Sequence, residues 1–383
     1  MMKVLILHRD SRMLGGVEKY YLKIRDKFTE PVDFYTIGRR PGEKGVLSQT
    51  FRMLEDYGRF VLLLLRKRYE LVHINPSIEP KSFVREGIFH LLARLLRRKT
   101  IIFFRGWHTS FQEKLERHLW LFRLLYGRAE AYIVLSGDFQ NLIRTWGITG
   151  PIYREVAIAD DHELNGFDIH EVLSMRQTSD EWRILFAARV TADKGIYELI
   201  QAVSHLQKKH PEVRLIVAGD SDELDAIKEF ARSSQIQNTM FTGYVVGEEK
   251  DRLFKTSHVF CLPTYYEGFP NVVVEAMAVG LPVVTRSVGG LRDFFVNSTH
   301  GFITESKSPE VFSDFLQRLI EDRDLYRQVS LNNYRYAQEY FLASRAATRL
   351  QEIYKSVIGG TVPHAMVPRV SLIGGENAGP GGS

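Results

Sequence analysis

The sequence predicts an α/β protein built from two doubly wound domains in tandem, each with a parallel sheet covered by helices on both faces. Two observations lead to this fold class. Short apolar runs alternate with amphipathic segments along most of the 383 residues, which is the order expected of strands and helices in a parallel sheet. The alternation pauses in a polar stretch at 157–181 and then restarts, which places a domain boundary there.

The first half begins with an apolar run at 3–8, which predicts a buried strand. A pair of glycines, Gly15 and Gly16, follows it, and the segment 17–28 has helical periodicity. Further strands are predicted at 71–74, 100–104 and 131–135, with helices at 89–98 and 111–126.

The second half repeats the alternation and ends in helices. Strands are predicted at 183–188, 214–218, 240–243, 258–262 and 282–285, and helices at 196–209, 222–233, 248–256, 309–321, 323–340 and 343–356. We therefore expect a first domain at 1–165 and a second at 166–340. The segment 341–357 should be helical, and the Gly- and Pro-rich segment 358–383 a flexible tail.

The composition is that of an ordinary globular protein, with 44% hydrophobic and 25% charged residues, and it argues against the disordered and fibrous classes. One cysteine, Cys261, allows no disulfide within a chain and favours a reducing compartment. The apolar run at 1–8 is too short for a signal peptide, and no stretch approaches the roughly 18 apolar residues of a membrane span. We expect a cytoplasmic protein.

Charge is distributed unevenly between the two halves. Residues 1–150 carry 27 Lys and Arg against 15 Asp and Glu, whereas residues 151–383 carry 24 against 31. This split predicts an anionic partner for the first half. Basic clusters at 66–68 and 94–99 adjoin Leu-rich segments, and no nucleic-acid-binding module is recognisable, so the inner face of an anionic membrane is favoured over nucleic acid. A solvated helix face is the alternative.

Ligands of doubly wound sheets bind beyond the carboxyl ends of the strands, so the loops after strands are the candidate sites. The first such loop holds Gly15 and Gly16, which let the backbone approach an anion at a helix N-terminus. Their spacing is not the dinucleotide fingerprint G-x-G-x-x-G, and an unliganded turn is the alternative. The second loop holds Arg105, a candidate anion ligand, and His108, a candidate acid/base or a structural histidine.

Two further loops carry charged pairs. Arg189 and Lys194 lie five residues apart and could clamp a diphosphate, the alternative being a solvated pair. The last loop joins Glu267 to Glu275, with Pro270 expected at the first helical position. Glu275 lies in an otherwise apolar helix, where a carboxylate is tolerated only if it is hydrogen-bonded. We expect it to bind a ribose, and Glu267 to face a second polyol.

A competing signal is the acidic triplet Asp220-Ser-Asp222, which matches the D-x-D pattern that holds a divalent metal in many sugar-nucleotide enzymes. Its acids can equally cap the helix predicted near Asp222. No cluster has zinc spacing, and neither G-x-S-x-G nor a P-loop is present. We therefore expect no metal.

The loop and helix around the two glutamates carry a resemblance to a known family. Glu267 and Glu275 are separated by seven residues in the settings PTYYEGFP and EAMAVGLPVV. GGVE at 15–18, ILFAARV at 184–190, VAGD at 217–220 and FTG at 241–243 occur in the expected order. Over about 3–356 the chain resembles the family 4 retaining glycosyltransferases of the GT-B fold, also described as glycosyl transferases group 1. The resemblance implies two Rossmann-like domains that face each other across a cleft.

The resemblance also implies roles for individual residues. The first domain would bind the acceptor and the second a nucleotide sugar, with the helix at 341–357 crossing back onto the first domain. The donor would be a UDP- or GDP-sugar, bound without a metal or another cofactor. The implied donor-binding residues are Gly15, Gly16, Arg105, Arg189, Lys194, Tyr244, Glu267, Gly268, Phe269, Asn271 and Glu275.

In these roles, Arg189 and Lys194 would hold the diphosphate, Glu275 the ribose, and Glu267 the transferred sugar. Tyr244 would lie near the base. The sequence departs from the family at one place, where Arg105-Gly106 stands for the usual His-Gly pair and His108 follows three residues after Arg105. Either His108 reaches the donor sugar or Arg105 replaces the histidine. The expected catalytic residues are Glu267, His108, Arg189 and Lys194.

The implied reaction is hexosyl transfer with retention of the anomeric configuration, by same-face displacement on the donor. The acceptor would be a glycan or a lipid-linked glycan in cell-surface polysaccharide synthesis, with the enzyme peripheral on the inner membrane face. Two alternatives stay open. One is a sugar-nucleotide epimerase on the same fold, and the other is a catalytically idle sugar-nucleotide-binding partner.

Overall fold

A computed structural model describes residues 2–10, 16–40 and 45–360 of the chain. It contains two six-stranded sheets, each parallel throughout, and a short two-stranded sheet. This confirms the predicted fold class of two doubly wound α/β domains. Within the described ranges, no helix has both the length and the apolar character needed to cross a membrane.

The first sheet has the order β2-β1-β3-β5-β7-β8. The strands of the first domain are β1 (Val4–Arg9), β2 (Val32–Ile37), β3 (Leu71–Ile74), β4 (Ser77–Ile78), β5 (Lys99–Phe103), β6 (Gly106–Trp107), β7 (Ala131–Val134) and β8 (Ile152–Arg154). Its helices are α1 (Gly16–Ile24), α2 (Val46–Arg66), α3 (Pro80–Leu95), α4 (Thr109–Glu116), α5 (Leu119–Tyr126) and α6 (Gly137–Thr145). The two-stranded sheet pairs β4 with β6.

The second sheet has its first strand at the centre. Its strands are β9 (Trp182–Ala187), β10 (Val213–Ala218), β11 (Thr239–Gly243), β12 (Val259–Leu262), β13 (Val283–Arg286) and β14 (Gly301–Thr304), in the order β11-β10-β9-β12-β13-β14. The helices are α7 (Ile169–Gln177), α8 (Ile196–Gln207), α9 (Leu224–Ser233), α10 (Gly247–Thr256), α11 (Asn271–Ala278), α12 (Pro309–Glu321), α13 (Arg323–Tyr340) and α14 (Ala343–Gly359). The strand order reverses between β9 and β12, which is where such sheets bind ligands.

The two faces of the first sheet pack against different helices. Because side chains alternate along a strand, Ile101 and Phe103 of β5 belong to a core shared with α1, α14 and the second domain. Ile102 of β5 and the following Phe104 belong to a separate core with residues of α2, α3 and α5. One face of this sheet is therefore turned toward the rest of the molecule, and the other carries an outer layer of helices that includes α2, α3 and α5.

Helix α14 ends the described chain and packs on the first domain, against α1. Its Tyr354 hydroxyl lies 2.6 Å from Nδ1 of the buried His73 in β3. Its Arg349 forms a buried ion pair with Glu155, which follows β8. The chain crosses between the domains twice in one place, since Ala159 N donates to Phe341 O (2.9 Å) and Ala343 N donates to Ala159 O (3.0 Å).

Two glycines allow strands of the second sheet to approach the loops at their carboxyl ends. Gly219 follows β10 with φ of 150°, and a Cβ there would lie 1.8 Å from the Ala188 carbonyl oxygen. Gly195 has φ of 75°, and a Cβ would lie 2.2 Å from the Pro263 oxygen. Side chains at these positions would push apart the loops that hold the predicted ligand-binding residues.

Several sequence predictions are corrected. The helix expected at 111–126 is two helices, α4 and α5, and β2, α2, α6 and β14 were missed. The polar stretch at 157–181 contains α7, which was not predicted. Arg176 of α7 is buried and donates hydrogen bonds to four backbone carbonyl oxygens of the second domain. The segment 358–359, expected in the tail, belongs to α14. Residues 361–383 lie outside the described part, and the domain limits stay a prediction.

We expect Arg349→Met to lower the free energy of unfolding of the first domain by about 3–5 kcal/mol, because it leaves the Glu155 carboxylate buried without its cation. Urea titration followed by circular dichroism measures this change. Arg345→Met, at an exposed position of the same helix, is the control and should change stability by less than about 0.5 kcal/mol. Equal effects of the two substitutions would show that the ion pair does not hold α14 in place.

Candidate active site

A cavity of about 730 Å³ lies between the two domains, at the carboxyl ends of β9 and β10. The first domain contributes Lys19, Tyr20 and Lys23 from α1 to its wall. The second domain contributes residues from three predicted loops and from α10. Among its lining residues are Arg189, Asp220, Tyr244, Lys250, Asn271 and Glu275.

Glu275 lies on α11, and its carboxylate is held by two lysines. Lys23 Nζ lies 2.9 Å from Oε1, and Lys250 Nζ lies 3.0 Å from Oε2. Burial of the carboxyl raises its pKa, but the two ammonium groups outweigh burial and the pKa of Glu275 is lowered. The carboxylate is therefore ionised at neutral pH, with one cation from each domain.

The network extends to Glu163, in a short 3₁₀ helix that follows the first crossing between domains. Lys250 Nζ lies 3.3 Å from Glu163 Oε1. Burial and then the nearby charge of Glu275 raise the pKa of Glu163. Burial lowers the pKa of Lys250, but the two carboxylates reverse this and raise it. Two acids and two lysines thus balance one another in the cavity wall.

Lys23, Lys250 and Glu163 were not predicted from the sequence. The ribose expected at Glu275 stays a prediction, and in the structure the carboxylate in this apolar helix is paired with two lysines. Lys23 is 252 positions away in the sequence, and no local pattern marks it as a partner. The prediction for Pro270 is also wrong by one position, since Pro270 precedes the helix and Asn271 begins it.

Glu267 and Lys194 meet at the carboxyl ends of β9 and β12. Lys194 Nζ lies 2.7 Å from Glu267 Oε1, and Thr264 Oγ1 lies 3.5 Å from the same oxygen. Gly289 packs closely against the Glu267 backbone, since a Cβ at Gly289 would lie 2.1 Å from the Glu267 carbonyl oxygen. Arg189 is exposed and lines the larger cavity. The predicted cation pair is thus split, with Lys194 bound to Glu267 and Arg189 directed to solvent.

A second cavity, of about 340 Å³, adjoins the first and shares Asn271 with it. Glu267, Gly268 and Phe269 line it from the second domain. Arg105 lines it from the first domain, with its guanidinium 3.8 Å from the centroid of the Tyr20 ring. Within the described part of the chain, Arg105 Nη1 is buried and has no hydrogen-bond partner.

His108 is separate from these groups. It precedes α4, its side chain is 64% exposed, and its Nε2 lies 3.6 Å from Glu79 Oε2. Glu79 also pairs with Arg9 (3.0 Å), and both line the second cavity. The structure thus brings Arg105 and Glu267 to one cavity, and connects His108 to that cavity through Glu79.

The remaining predicted residues divide into three groups. Tyr244 follows β11 and is exposed at the wall of the larger cavity. Gly16 begins α1, while Gly15 lies outside the described residues. Asp220 lines the larger cavity, and its Oδ1 accepts a hydrogen bond from Ser221 N at 2.8 Å. In the described ranges, no group of three or more His, Cys, Asp or Glu could hold a metal ion.

Comparison with known proteins finds a likeness in the second domain. Residues 174–336 match the family described as glycosyl transferases group 1. The second domain is similar to this family over that segment. It contains Arg189, Lys194, Glu267 and Glu275, so these candidate residues lie inside the matched segment.

Curated relatives are similar to part of this chain, over part of their own length. A glycosyltransferase of Methanocaldococcus jannaschii is 34% identical over 155 residues, which are 40% of this chain and 39% of the relative. The capsular polysaccharide biosynthesis glycosyltransferase CapM of Staphylococcus aureus is 29% identical over 182 residues, 47% of each chain. Mycobacterium tuberculosis glycogen synthase is 32% identical over 185 residues, 48% of this chain and 42% of the relative. The chain spans less than half the length of these relatives.

Solved structures resemble the whole molecule. Sucrose-phosphate synthase from Thermosynechococcus elongatus has a TM-score of 0.70 at 18% identity, covering 94% of this chain and 100% of its own. Anabaena HepE in complex with UDP-glucose has a TM-score of 0.67 at 18% identity, covering 93% and 100%. At these identities the likeness shows the fold alone, which is the GT-B fold of two domains that face each other across a cleft.

We expect Lys23→Met to lower the free energy of unfolding by about 1–3 kcal/mol, because it removes one of the two cations that satisfy the buried Glu275 carboxylate. Hydrogen exchange should also become faster in α1 and in the 3₁₀ helix around Glu163, since an ion pair between the domains is lost. Lys19→Met, one turn earlier on α1 at an exposed position, is the control. If Lys19→Met and Lys23→Met behave alike, the pairing of Lys23 with Glu275 contributes nothing to the contact between domains.

Proposed function

We propose that the chain is a retaining glycosyltransferase that moves a hexosyl group from a nucleoside diphosphate sugar to a glycan or lipid-linked glycan. One observation carries the proposal. Glu267 and Glu275 lie at the walls of two adjoining cavities, with Asn271 on the wall of both. A donor could therefore place its nucleotide in the larger cavity and its sugar at the opening to the smaller one.

The larger cavity suits a nucleotide in size and chemistry. Its volume of about 730 Å³ lies within the ~300–1,000 Å³ of small-molecule sites. The carboxylate of Glu275 keeps lone pairs beyond its two lysine contacts, and ribose hydroxyls can donate to these. Tyr244 and Val246 supply an exposed aromatic and an apolar surface on which a base can rest. We favour UDP or GDP as the nucleotide, bound without a metal.

The diphosphate would lie between the two cavities, beside the exposed guanidinium of Arg189 and the ammonium of Lys194. These cations would stabilise the negative charge that develops as the diphosphate leaves. The carbon–oxygen bond to the phosphate breaks while the acceptor oxygen bonds to the same face of the anomeric carbon. The acceptor proton passes to a phosphate oxygen of the leaving group, so the step needs no protein base.

We assign the sugar end of the donor to Glu267, with the backbone N–H groups of Gly268, Phe269 and Asn271. Arg105, which lines the same cavity, is favoured over His108 for the place of the missing family histidine. His108 would act only indirectly, through Glu79, on the position of the acceptor. The closed cleft between the domains would keep water from the anomeric carbon.

We propose the acceptor from the names of two similar proteins and from the charge of the first domain. CapM is named for capsular polysaccharide biosynthesis, and the fold relative WaaG is described as involved in lipopolysaccharide biosynthesis. We extend this to a cell-surface glycan acceptor for the present chain. We place the enzyme in the cytoplasm, peripheral to the inner membrane face, where a lipid-linked acceptor would meet its basic first domain.

Donor binding can be tested by thermal shift with UDP, GDP, ADP and their common sugars, without divalent metal. We expect one nucleotide series to stabilise the protein, by about 2.7 kcal/mol at a hundredfold excess over its Kd. Glu275→Gln should lose most of this shift relative to its own ligand-free midpoint. Glu249→Gln, on the exposed side of α10, is the matched control and should keep it.

Stabilisation that Glu275→Gln retains in full would contradict the ribose role of Glu275. No stabilisation by any nucleotide would contradict the proposed donor class. Turnover of a sugar nucleotide without an acceptor would instead favour the epimerase alternative, and binding without turnover would favour the idle partner.

The stereochemistry is tested by NMR of the product. We expect the anomeric configuration of the donor to be retained, and an inverted product would exclude the same-face mechanism.

Lys194→Ala should lower kcat by about 10²–10³-fold, because it removes charge stabilisation of the leaving diphosphate. Lys228→Ala, at a partly exposed lysine on α9, should leave kcat unchanged.

A further inference from the structure

The outer layer of the first domain exposes an unusual amount of apolar surface. In the described residues, sixteen large apolar side chains are exposed, and ten of them belong to α2, α3 and α5. Scattered exposed apolar residues are normal, but a concentration of them marks an interaction surface. The ten residues are Leu47, Phe51, Leu54, Leu62, Leu65, Val84, Leu91, Leu95, Trp120 and Leu124. We call this surface the α2–α3–α5 face.

Within each helix these residues follow helical spacing. On α2 they run from Leu47 through Phe51 and Leu54 to Leu62 and Leu65, opposite the buried Phe60 and Leu64 that pack on the sheet. The exposed fractions are high, at 77% for Leu47 and 73% for Phe51. Each helix is therefore apolar on both sides, because it buries one stripe and leaves another in solvent.

The three stripes lie side by side. Helix α3 packs between α2 and α5, and all three cover the same face of the first sheet. The opposite face of that sheet carries α1 and α14 and leads into the cleft. The α2–α3–α5 face is thus a continuous outer surface, separated from the active-site cavities by the thickness of the sheet.

Positive charge surrounds these stripes. Segments 46–68, 80–99 and 109–128, which contain the three helices, their immediate ends and α4, carry 15 Lys and Arg against 5 Asp and Glu. More than half of the 27 basic residues in the first half of the chain are therefore concentrated here. Exposed cations stand at the ends of the helices, including Arg66, Lys67, Arg68, Arg97, Arg123 and Arg128.

We propose that the α2–α3–α5 face docks on an anionic lipid bilayer, with its apolar stripes in the interfacial region and its basic residues at the headgroups. Apolar side chains beside Lys and Arg are the surface that lies in such an interface. The inference rests on the proposed function only for its choice of a membrane-linked acceptor, since binding to lipid requires neither donor nor transfer. The binding surface is the α2–α3–α5 face, and its apolar side chains insert into the bilayer in addition to the attraction between its basic residues and anionic lipid.

The charge also argues against a second copy of the chain as the occupant. A twofold dimer through this face would bring two strongly basic surfaces together, and like charges across an interface are unfavourable. An anionic bilayer complements the same charge.

Vesicle flotation with the full chain tests the proposal. We expect the protein to float with vesicles of 30% phosphatidylglycerol in phosphatidylcholine, and at least about tenfold more lipid to be needed for pure phosphatidylcholine or at high salt. The variant Phe51→Ser/Leu95→Ser/Trp120→Ser should need at least about tenfold more anionic lipid than the wild type, because binding scales with the apolar area inserted.

Met175→Ser/Val296→Ser removes two exposed apolar side chains elsewhere and is the matched control, which should bind as the wild type does. Binding that all three proteins share equally would overturn insertion through this face. A wild-type dimer that the triple substitution converts to a monomer in size-exclusion chromatography would overturn it in favour of self-association.

Trp120 gives a fluorescence readout in the unchanged protein, because it is 64% exposed, while Trp107 and Trp146 are buried and Trp182, in the second domain, is half-buried. Brominated lipid should quench the wild-type fluorescence, and Trp120→Phe, which keeps the apolar surface, should lose most of that quenching while still binding. Quenching that persists in Trp120→Phe would overturn the proposed orientation. The nucleotide thermal shift of each variant reports separately on the proposed function, and it should be unchanged.

Discussion

The ion pairs of Glu275 are the constraint on which the arrangement of the two domains depends. A buried carboxylate in an apolar helix needs cations, and the second domain supplies only one of the two that hold it, Lys250. The other is Lys23 of the first domain. Charge balance at the cavity wall therefore requires both domains to be in place, and the helix that would bind the donor also takes part in joining the domains.

Much of the fold and part of the site could be predicted from the sequence, because they depend on local patterns. The apolar runs of the sheets, the glycines at strand ends and the pair Glu267 and Glu275 all appear within short stretches. What escaped prediction depends on contacts between distant residues. Lys23 pairs with Glu275 across 252 positions of the sequence. Arg176 made α7 look like a polar linker in the sequence, because its hydrogen-bond partners are backbone carbonyls of the second domain.

In the structure, packing gives some of the predicted site residues protein partners that the sequence did not show. Lys194 pairs with Glu267, so one member of the expected diphosphate clamp is held by a carboxylate until a ligand competes for it. Arg105 is stacked on Tyr20 at the cavity that Glu267 lines, whereas the neighbouring His108 turns to Glu79. Arg105 and His108 are three residues apart in the sequence but lie in different environments, which the sequence alone does not show.

Helix α14 makes the first domain depend on a segment that is synthesised after the second domain. His73 contacts Tyr354 across 281 positions, and Glu155 contacts Arg349 across 194. Until α14 has left the ribosome, the face of the first sheet that it covers has a histidine and a carboxylate without these two partners. Domains usually fold in order as they emerge, but here the first must finish after the second, so the nascent protein carries an open apolar surface that chaperones can bind.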